Sequence, residues 1–151
     1  MKRIIDVFVS ILGLTILSPL FLLLSIFIKI SSRGPVFFIQ KRVGQDGKIF
    51  KMIKFRTMYI YQTSDSTISI KGDDRVTRLG RFLRKYKLDE FPELINVLIG
   101  DMSLVGPRPD VCGYADRLVK TDRDILKIRP GITGPASLKY INEEEILAKQ
   151  D

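Results

Sequence analysis

Hydrophobic and polar positions divide this chain unevenly. Val7 to Ile28 reads VFVSILGLTILSPLFLLLSIFI and carries no charge. At about 1.5 Å per residue, a straight helix of this length would just cross the roughly 30 Å hydrocarbon core of a bilayer. Ser18-Pro19 interrupts the run. Proline has no N–H and its ring crowds the carbonyl four residues back, that of Thr15, so a bend or break is expected there. The hydroxyls of Thr15 and Ser18 are placed to satisfy the freed carbonyl. Lys2 and Arg3 precede the segment, and Lys29, Arg33, Lys41 and Arg42 follow it. Basic residues favour the cytoplasmic side, so basic flanks at both ends fit a re-entrant hairpin with arms Val7–Leu17 and Leu20–Ile28. A single kinked transmembrane helix fits the length as well, and the residues alone leave both readings open. A cleavable signal peptide is not expected, because Lys29-Ile30-Ser31-Ser32-Arg33 is a poor cleavage site.

Beyond the apolar run the periodicity changes. Val36 to Ile39 is β-prone, Gln45-Asp46-Gly47 has hairpin-turn chemistry, and Ile49 to Arg56 predicts the returning strand. Period 2 puts Ile49, Ile53 and Phe55 on its apolar face and Lys54 and Arg56 on the other, either solvated or touching phosphate. Tyr59 to Asp74 is polar and aperiodic, as in a loop. Val76, Leu79, Leu83 and Tyr86 predict a basic amphipathic helix suited to an anionic membrane surface. Leu88, Phe91, Leu94, Ile95, Leu98 and Ile99 predict a second helix with a buried stripe. Asp89, Glu93 and Asn96 share another face of it, and Pro92 belongs in its first turn. Pro107 and Pro109 bracket Arg108 in a rigid loop. A helix over Tyr114 to Asp124 and a Gly/Pro-rich loop, Arg129 to Pro135, complete the pattern.

Composition narrows the chemistry. The chain has 151 residues, a formal charge of +8 and a pI near 9.7, which points to anionic partners such as phospholipid, nucleotide phosphate or nucleic acid. Cys112 is the single cysteine and there is no histidine. An internal disulfide, histidine-based triads and histidine-ligated metals are therefore excluded. What remains is carboxylates, Lys, Arg, hydroxyls and oxygen-ligated hard cations. Asp89-Glu90 is the candidate centre. It reads either as a helix cap with dipole-complementing acids, or as paired carboxylates that hold Mg2+ and supply a nucleophile at a phosphate-attracting helix terminus.

The run LDEFPELINVLIGDMSLVGPRP, with KFRTM upstream and RPGITGP downstream, closely resembles the monotopic phosphoglycosyl transferases of the bacterial sugar transferase family. The likeness extends from the Ser-Pro break to Gly134. It implies transfer of a phosphosugar from a UDP-sugar to polyprenol (undecaprenyl) phosphate, with release of UMP, as the first membrane step of glycoconjugate assembly. It implies that Asp89 is the nucleophile, that Glu90 assists with catalysis and Mg2+, that Arg108 contacts phosphate, and that Arg129 belongs to a nucleotide-side element. Lys54 and Arg56 join them as phosphate-contact candidates, and Ser18-Pro19 matches the family's membrane hinge. The expected fold is α+β and mostly helical, with a re-entrant membrane hairpin over 1–33. A catalytic domain over 34–151, with interfacial amphipathic helices and a small β-hairpin, follows on the cytoplasmic face of the bacterial inner membrane. The expected partners are the UDP-sugar, the polyprenol phosphate and the phospholipid bilayer, without nucleic acid; a homodimer is compatible with them.

The likeness weakens near the end. Ser137-Leu138-Lys139-Tyr140 stands where many members have a Gln-Val-Asn-Gly-Arg run, and many continue several tens of residues beyond Asp151. The chain is therefore expected to be short or truncated relative to the family. The basic helix alone would also suit a membrane-tethered module that binds anionic lipid or nucleic acid, in which Asp89 is only a cap.

Overall fold

The computed structural model describes residues 1–60, 74–113, 118 and 120–135. Helices hold about half of them. The elements in order are α1 (Lys2–Ser31), β1 (Phe37–Val43), β2 (Ile49–Phe55), α2 (Arg78–Lys85), α3 (Glu93–Ile99), β3 (Ser103–Val105) and β4 (Gly131–Thr133). Short 3-10 stretches lie at Gln45–Gly47, Leu88–Glu90 and Lys120–Lys127.

α1 is one helix long and apolar enough to cross a membrane, and its hydrogen bonding runs through Pro19 instead of stopping there. The expected compensation is present. Ser18 Oγ donates to the Thr15 carbonyl at 2.8 Å, and Thr15 Oγ1 donates to the Ile11 carbonyl at 2.9 Å. A hydroxyl thus takes the place of the amide donor that proline lacks. Most of the apolar residues of α1, among them Ile4, Phe8, Ile16, Leu22 and Phe27, are exposed.

Both ends of α1 are fastened to the same body. At the start, Lys2 Nζ donates to the Val105 carbonyl at 2.9 Å, and the Arg3 guanidinium donates to the carbonyls of Val97 and Leu98. Those two carbonyls belong to the last turn of α3, where a cation complements the helix dipole. The buried Asp6 carboxylate accepts from Ser103 Oγ at 2.9 Å and from the Leu104 N–H at 3.2 Å. At the far end Leu24 and Ile28 pack with Phe55 and Leu83 in one core cluster, and Phe21 meets the Phe55 ring edge-on at 5.2 Å.

The predicted hairpin forms, pairing Phe37 with Phe55 through to Val43 with Ile49. Asp46 turns it with φ 58°, in the left-handed region that a short polar side chain tolerates. The expected apolar face of β2 is corrected. Ile49 is exposed, whereas Phe50 and Met52 are buried with Val97 and Met102 in a second cluster. Phe55 faces the first cluster, so β2 is covered on both sides, and Lys54 shares the buried Phe50–Met52 side. Neither Lys54 nor Arg56 stands on a solvated face; the exposed cations of the two strands are Lys41 and Lys51, paired across the hairpin.

α3 is also rotated relative to expectation. Its buried residues are Glu93, Asn96 and Val97, while Leu94, Ile95 and Leu98 are half-buried and Ile99 is exposed. The apolar stripe runs toward α1, where a Cβ on Gly13 would sit 3.2 Å from Leu94 Cδ1. Asn96 explains why the polar side goes inward. Its Oδ1 accepts from the Ile53 N–H at 3.0 Å and its Nδ2 donates to the Lys51 carbonyl at 2.7 Å. One side chain thereby satisfies the outer edge of β2 as a neighbouring strand would.

The basic helix is shorter than its pattern. Thr77 caps α2 by accepting from the Gly80 N–H at 2.8 Å. Val76 lies outside the helix, bridged to Met58. Most of the Tyr59–Asp74 loop (61–73) and much of the predicted 114–124 helix (114–117 and 119) lie outside the described residues. Of that helix, Leu118 is irregular and Lys120 to Asp124 belong to the 3-10 stretch Lys120–Lys127. β3 and β4 pair in parallel.

Candidate active site

α2 ends at Lys85, and Lys87 then takes a left-handed conformation, φ 55°. Such a conformation costs a non-glycine residue about 1 kcal/mol or more. It reverses the chain so that the 3-10 turn Leu88–Glu90 packs against β2, carrying Asp89 inward. Pro92 follows as the N-cap of α3 instead of lying in its first turn. Asp89 and Glu90 therefore stand one turn before α3, and Asp89 is not its cap. Glu93 is the acid in the first turn of α3.

These elements converge on one ammonium. Lys54 Nζ donates to Glu90 Oε1 at 2.8 Å and lies 3.2 Å from Glu93 Oε1. The side chains of Lys54 and Glu90 are each 17% exposed and that of Glu93 is 4% exposed. Burial pushes the Glu90 carboxyl up, but Lys54 outweighs it through charge and hydrogen bond, so Glu90 lies below its ordinary value. For Glu93 burial wins over Lys54 and its carboxyl is raised to about 7. Burial lowers the Lys54 ammonium, yet Glu90 and Glu93 together hold it above its ordinary value.

Asp89 differs from both. It is buried, and its Oδ1 has no hydrogen-bond partner. Burial pushes its carboxyl up; Lys54 opposes, the Glu90 charge adds, and Arg84 on α2 opposes. Buried acceptors are normally satisfied. An orphaned carboxylate oxygen is what a nucleophile or a cation ligand requires, since its lone pairs are uncommitted.

The two prolyl loops form a second unit. Ser103 N–H donates to the Pro130 carbonyl, Gly131 N–H to the Pro107 carbonyl, both at 2.8 Å, and Gly106 N–H to the Thr133 carbonyl at 2.9 Å. A Cβ on Gly106 would strike the Arg129 carbonyl, and one on Gly131 would strike the Gly106 amide, so only glycine permits this contact. The unit is pinned to the hairpin by the Val43 N–H, which donates to the Asp110 carbonyl at 3.0 Å, and by Arg42 Nη1, which donates to the Pro109 carbonyl at 3.3 Å. Arg108 is thereby held where its charge acts on Glu90, Glu93 and Arg42. Beside it is a recess lined by Val43, Pro107, Arg108, Leu126, Ile128 and Pro130.

The candidate residues thus separate. Glu90 and Lys54 meet, the Lys54 charge reaches Asp89, the Arg108 charge reaches Glu90, and the Arg129 carbonyl packs against Gly106 of the Arg108 loop. Arg56 is elsewhere. It is 5% exposed, and its guanidinium donates to the Ser32 carbonyl at 2.7 Å, to Ser32 Oγ at 2.9 Å and to the Arg33 carbonyl at 3.1 Å. It fastens the exit of α1 through its two terminal nitrogens, while its buried Nε has no hydrogen-bond partner. Ser18 and Pro19 are exposed on α1. Sequence reasoning missed Glu93 and Arg84 as site residues. Glu93, at i+4 from Asp89, carried a usable signal; Arg84 was one of many cations on a helix read as a membrane face.

Asp89 and Glu90 suit Mg2+ in one specific manner. Among the described residues no group of three or more acidic, Cys or His side chains forms a cage. Mg2+ is commonly held by one or two carboxylates plus substrate phosphates. The unpartnered Asp89 Oδ1 beside Glu90 fits that mode.

Comparison with known proteins places the chain in a family. The sequence pattern of the family described as bacterial sugar transferase matches residues 1–150. A UDP-glucose:undecaprenyl-phosphate glucose-1-phosphate transferase of Klebsiella pneumoniae is 41% identical over 155 aligned positions, covering 99% of this chain and 33% of the relative. A UDP-N-acetylgalactosamine-undecaprenyl-phosphate N-acetylgalactosaminephosphotransferase of Aeromonas hydrophila is 40% identical, covering 92% and 34%. The exopolysaccharide production protein ExoY of Sinorhizobium fredii is 40% identical, covering 88% and 66%. The chain spans about a third of the length of the first two relatives.

Proposed function

The chain belongs to the bacterial sugar transferase family, and we propose on that premise that it moves a phosphosugar from a UDP-sugar to a polyprenol phosphate, releasing UMP. The observation that carries this reading is the buried Asp89 oxygen without a partner, beside a Lys54–Glu90 ion pair. One Asp89 oxygen attacks the sugar-bearing phosphorus of the donor. The bond from that phosphorus to the UMP oxygen breaks, and UMP departs with the electron pair. A phosphosugar-aspartyl intermediate remains. A phosphate oxygen of the polyprenol phosphate then attacks the same phosphorus, and Asp89 leaves as carboxylate. Splitting the transfer lets the soluble nucleotide depart before the lipid reacts. Lys54 and Arg108 offset charge on the phosphoryl oxygens that would otherwise repel Asp89. Asp89 and Glu90 would hold Mg2+, which when bound supplies further charge neutralisation on the donor diphosphate.

The sugar is not legible in the chain. The relatives named above differ between glucose and N-acetylgalactosamine, and the family chemistry is shared. The test is a panel of UDP-sugars with Mg2+, with and without undecaprenyl phosphate. At least one donor is expected to release UMP and to leave a phosphosugar mass on the Asp89 peptide. If none does either, the transferase reading fails, and salt-sensitive binding of anionic lipid or nucleic acid would then favour a basic tethering module.

The same proposal extends to the membrane. We read α1 as docking into the cytoplasmic leaflet of the inner membrane and returning to the face it entered. A 30-residue helix is about 45 Å long, and a spanning segment separates its ends by the roughly 30 Å hydrocarbon core. Lys2, Arg3 and Asp6 at one end and Ile28 and Ser32 at the other all contact one small body. That supports a helix with both ends on one side. Cysteines introduced at positions 2 and 33 are expected to react with an impermeant thiol reagent from the same face of sealed vesicles. Labelling from opposite faces would restore a transmembrane span.

A further inference from the structure

We propose that Glu93 is a positioning residue for phosphosugar transfer, fixing the Lys54 ammonium so that it reaches the phosphoryl group arriving at Asp89. The inference rests on the transferase reading and concerns a residue outside the Asp89–Glu90 pair. A lysine side chain is flexible, with four methylenes between backbone and charge, so an ion pair to Glu90 alone leaves its tip with alternatives. α3 removes them from two sides. Asn96 grips the β2 backbone on both sides of residue 52, at the Lys51 carbonyl and the Ile53 N–H. One turn earlier on the same helix face, Glu93 holds the tip, with its Oε1 3.2 Å from Lys54 Nζ. Base and tip of Lys54 are thus set by one rigid element, and the Glu90 hydrogen bond at 2.8 Å completes the hold.

An ammonium has three donors. Among the described residues two face Glu90 and Glu93, and the third remains for a substrate oxygen. Lys54 also lies close enough for its charge to act on Asp89. A fixed donor next to the nucleophile stabilises charge on the transferring group without reorganising at the moment of reaction. Glu93 is itself 3% exposed and sits behind Lys54, so it acts through the lysine without touching substrate.

Reach, and not charge, is what this role requires, and three variants separate the two. Glu93→Gln keeps an acceptor at the same reach, Glu93→Asp keeps the charge but withdraws it by one methylene, and Glu93→Met keeps volume and loses the acceptor. In the UMP-release assay, Asp and Met are expected to lower kcat on the order of tenfold or more, with the donor KM within about twofold. Gln is expected to recover most of the activity. Neither loss should exceed that of Lys54→Met, through which Glu93 acts. Thermal unfolding of each protein measures the folded fraction at the assay temperature. If Met fails to fold, the Asp–Gln comparison still decides. The assignment is overturned if Asp performs as well as Gln, if Met stays within about twofold of wild type, or if the effect falls on KM. If the wild-type chain releases no UMP from any donor, the transferase reading fails and this assignment falls with it; an active wild type with indifferent variants overturns this assignment alone.

Discussion

Asp89→Asn is expected to abolish UMP release and the phosphosugar adduct while leaving the protein as stable as wild type, or more so. Asparagine has nearly the same shape and keeps both polar atoms, but its amide cannot act as the nucleophile. Loss of a covalent nucleophile costs on the order of a thousandfold or more in kcat. The stability half follows from the same geometry. Asp89 Oδ1 accepts no hydrogen bond, so no bond at that atom is broken. Its carboxyl is raised by burial. A raised carboxyl contributes stability that is fully present below the unfolded value and lost as pH rises through the folded one. Above the ordinary carboxylate range the buried group is therefore a net cost, and replacing it with a neutral amide relieves it. A capping role predicts the opposite pair of results: about 1 kcal/mol of lost stability and unchanged activity. Thermal unfolding beside a UMP assay on one preparation separates them, and retained UMP release would sink the nucleophile.

The sequence made the local rules visible and hid the orientation of faces. The Asp46-Gly47 hairpin and the proline compensation by Ser18 follow from short-range chemistry and are where that chemistry puts them, whereas Asp89-Glu90 stand in a 3-10 turn one turn before the helix they were expected to open. Periodicity misjudged β2 and α3 because it assumes one wet face and one dry one. Here α1 supplies an apolar surface outside the body, so the apolar stripe of α3 turns toward α1 and its polar residues turn inward. The buried polar side then becomes the site, since Asn96 completes the strand edge and Glu93 meets Lys54. Arg56 shows the complementary failure. Its parity in the strand matched that of Lys54, yet it lies just past the strand end, where the carbonyls of Ser32 and Arg33, immediately after α1, hold its guanidinium. Only the return of α1 to the body creates that competitor, and no local pattern announces it.

Lys54→Met is expected to destabilise the protein more at neutral than at acid pH as well as to remove activity. In the wild type Glu90 lies below its ordinary value because Lys54 outweighs burial. A lowered carboxyl contributes stability that is present above the unfolded value of about 4.5 and lost as pH falls through the folded one. Glu93, raised to about 7, works the other way, so its contribution is full below about 4.5 and lost as pH climbs toward 7. Methionine fills much of the lysine volume but leaves both carboxylates buried without their cation. Removing one partner of a buried pair costs about 3–5 kcal/mol. Proton uptake limits that cost when protons are abundant. At pH 7.5 the loss is therefore expected near the lower figure. Near pH 5, where both acids can be neutral, it should shrink to about 1 kcal/mol or less. The acid-side loss contributed by Glu90 should flatten in the same variant. Chemical unfolding at the two pH values in one detergent measures this directly. An equal loss at both would mean that the cation packs against these acids without neutralising them, and the charge account of the site would have to be abandoned.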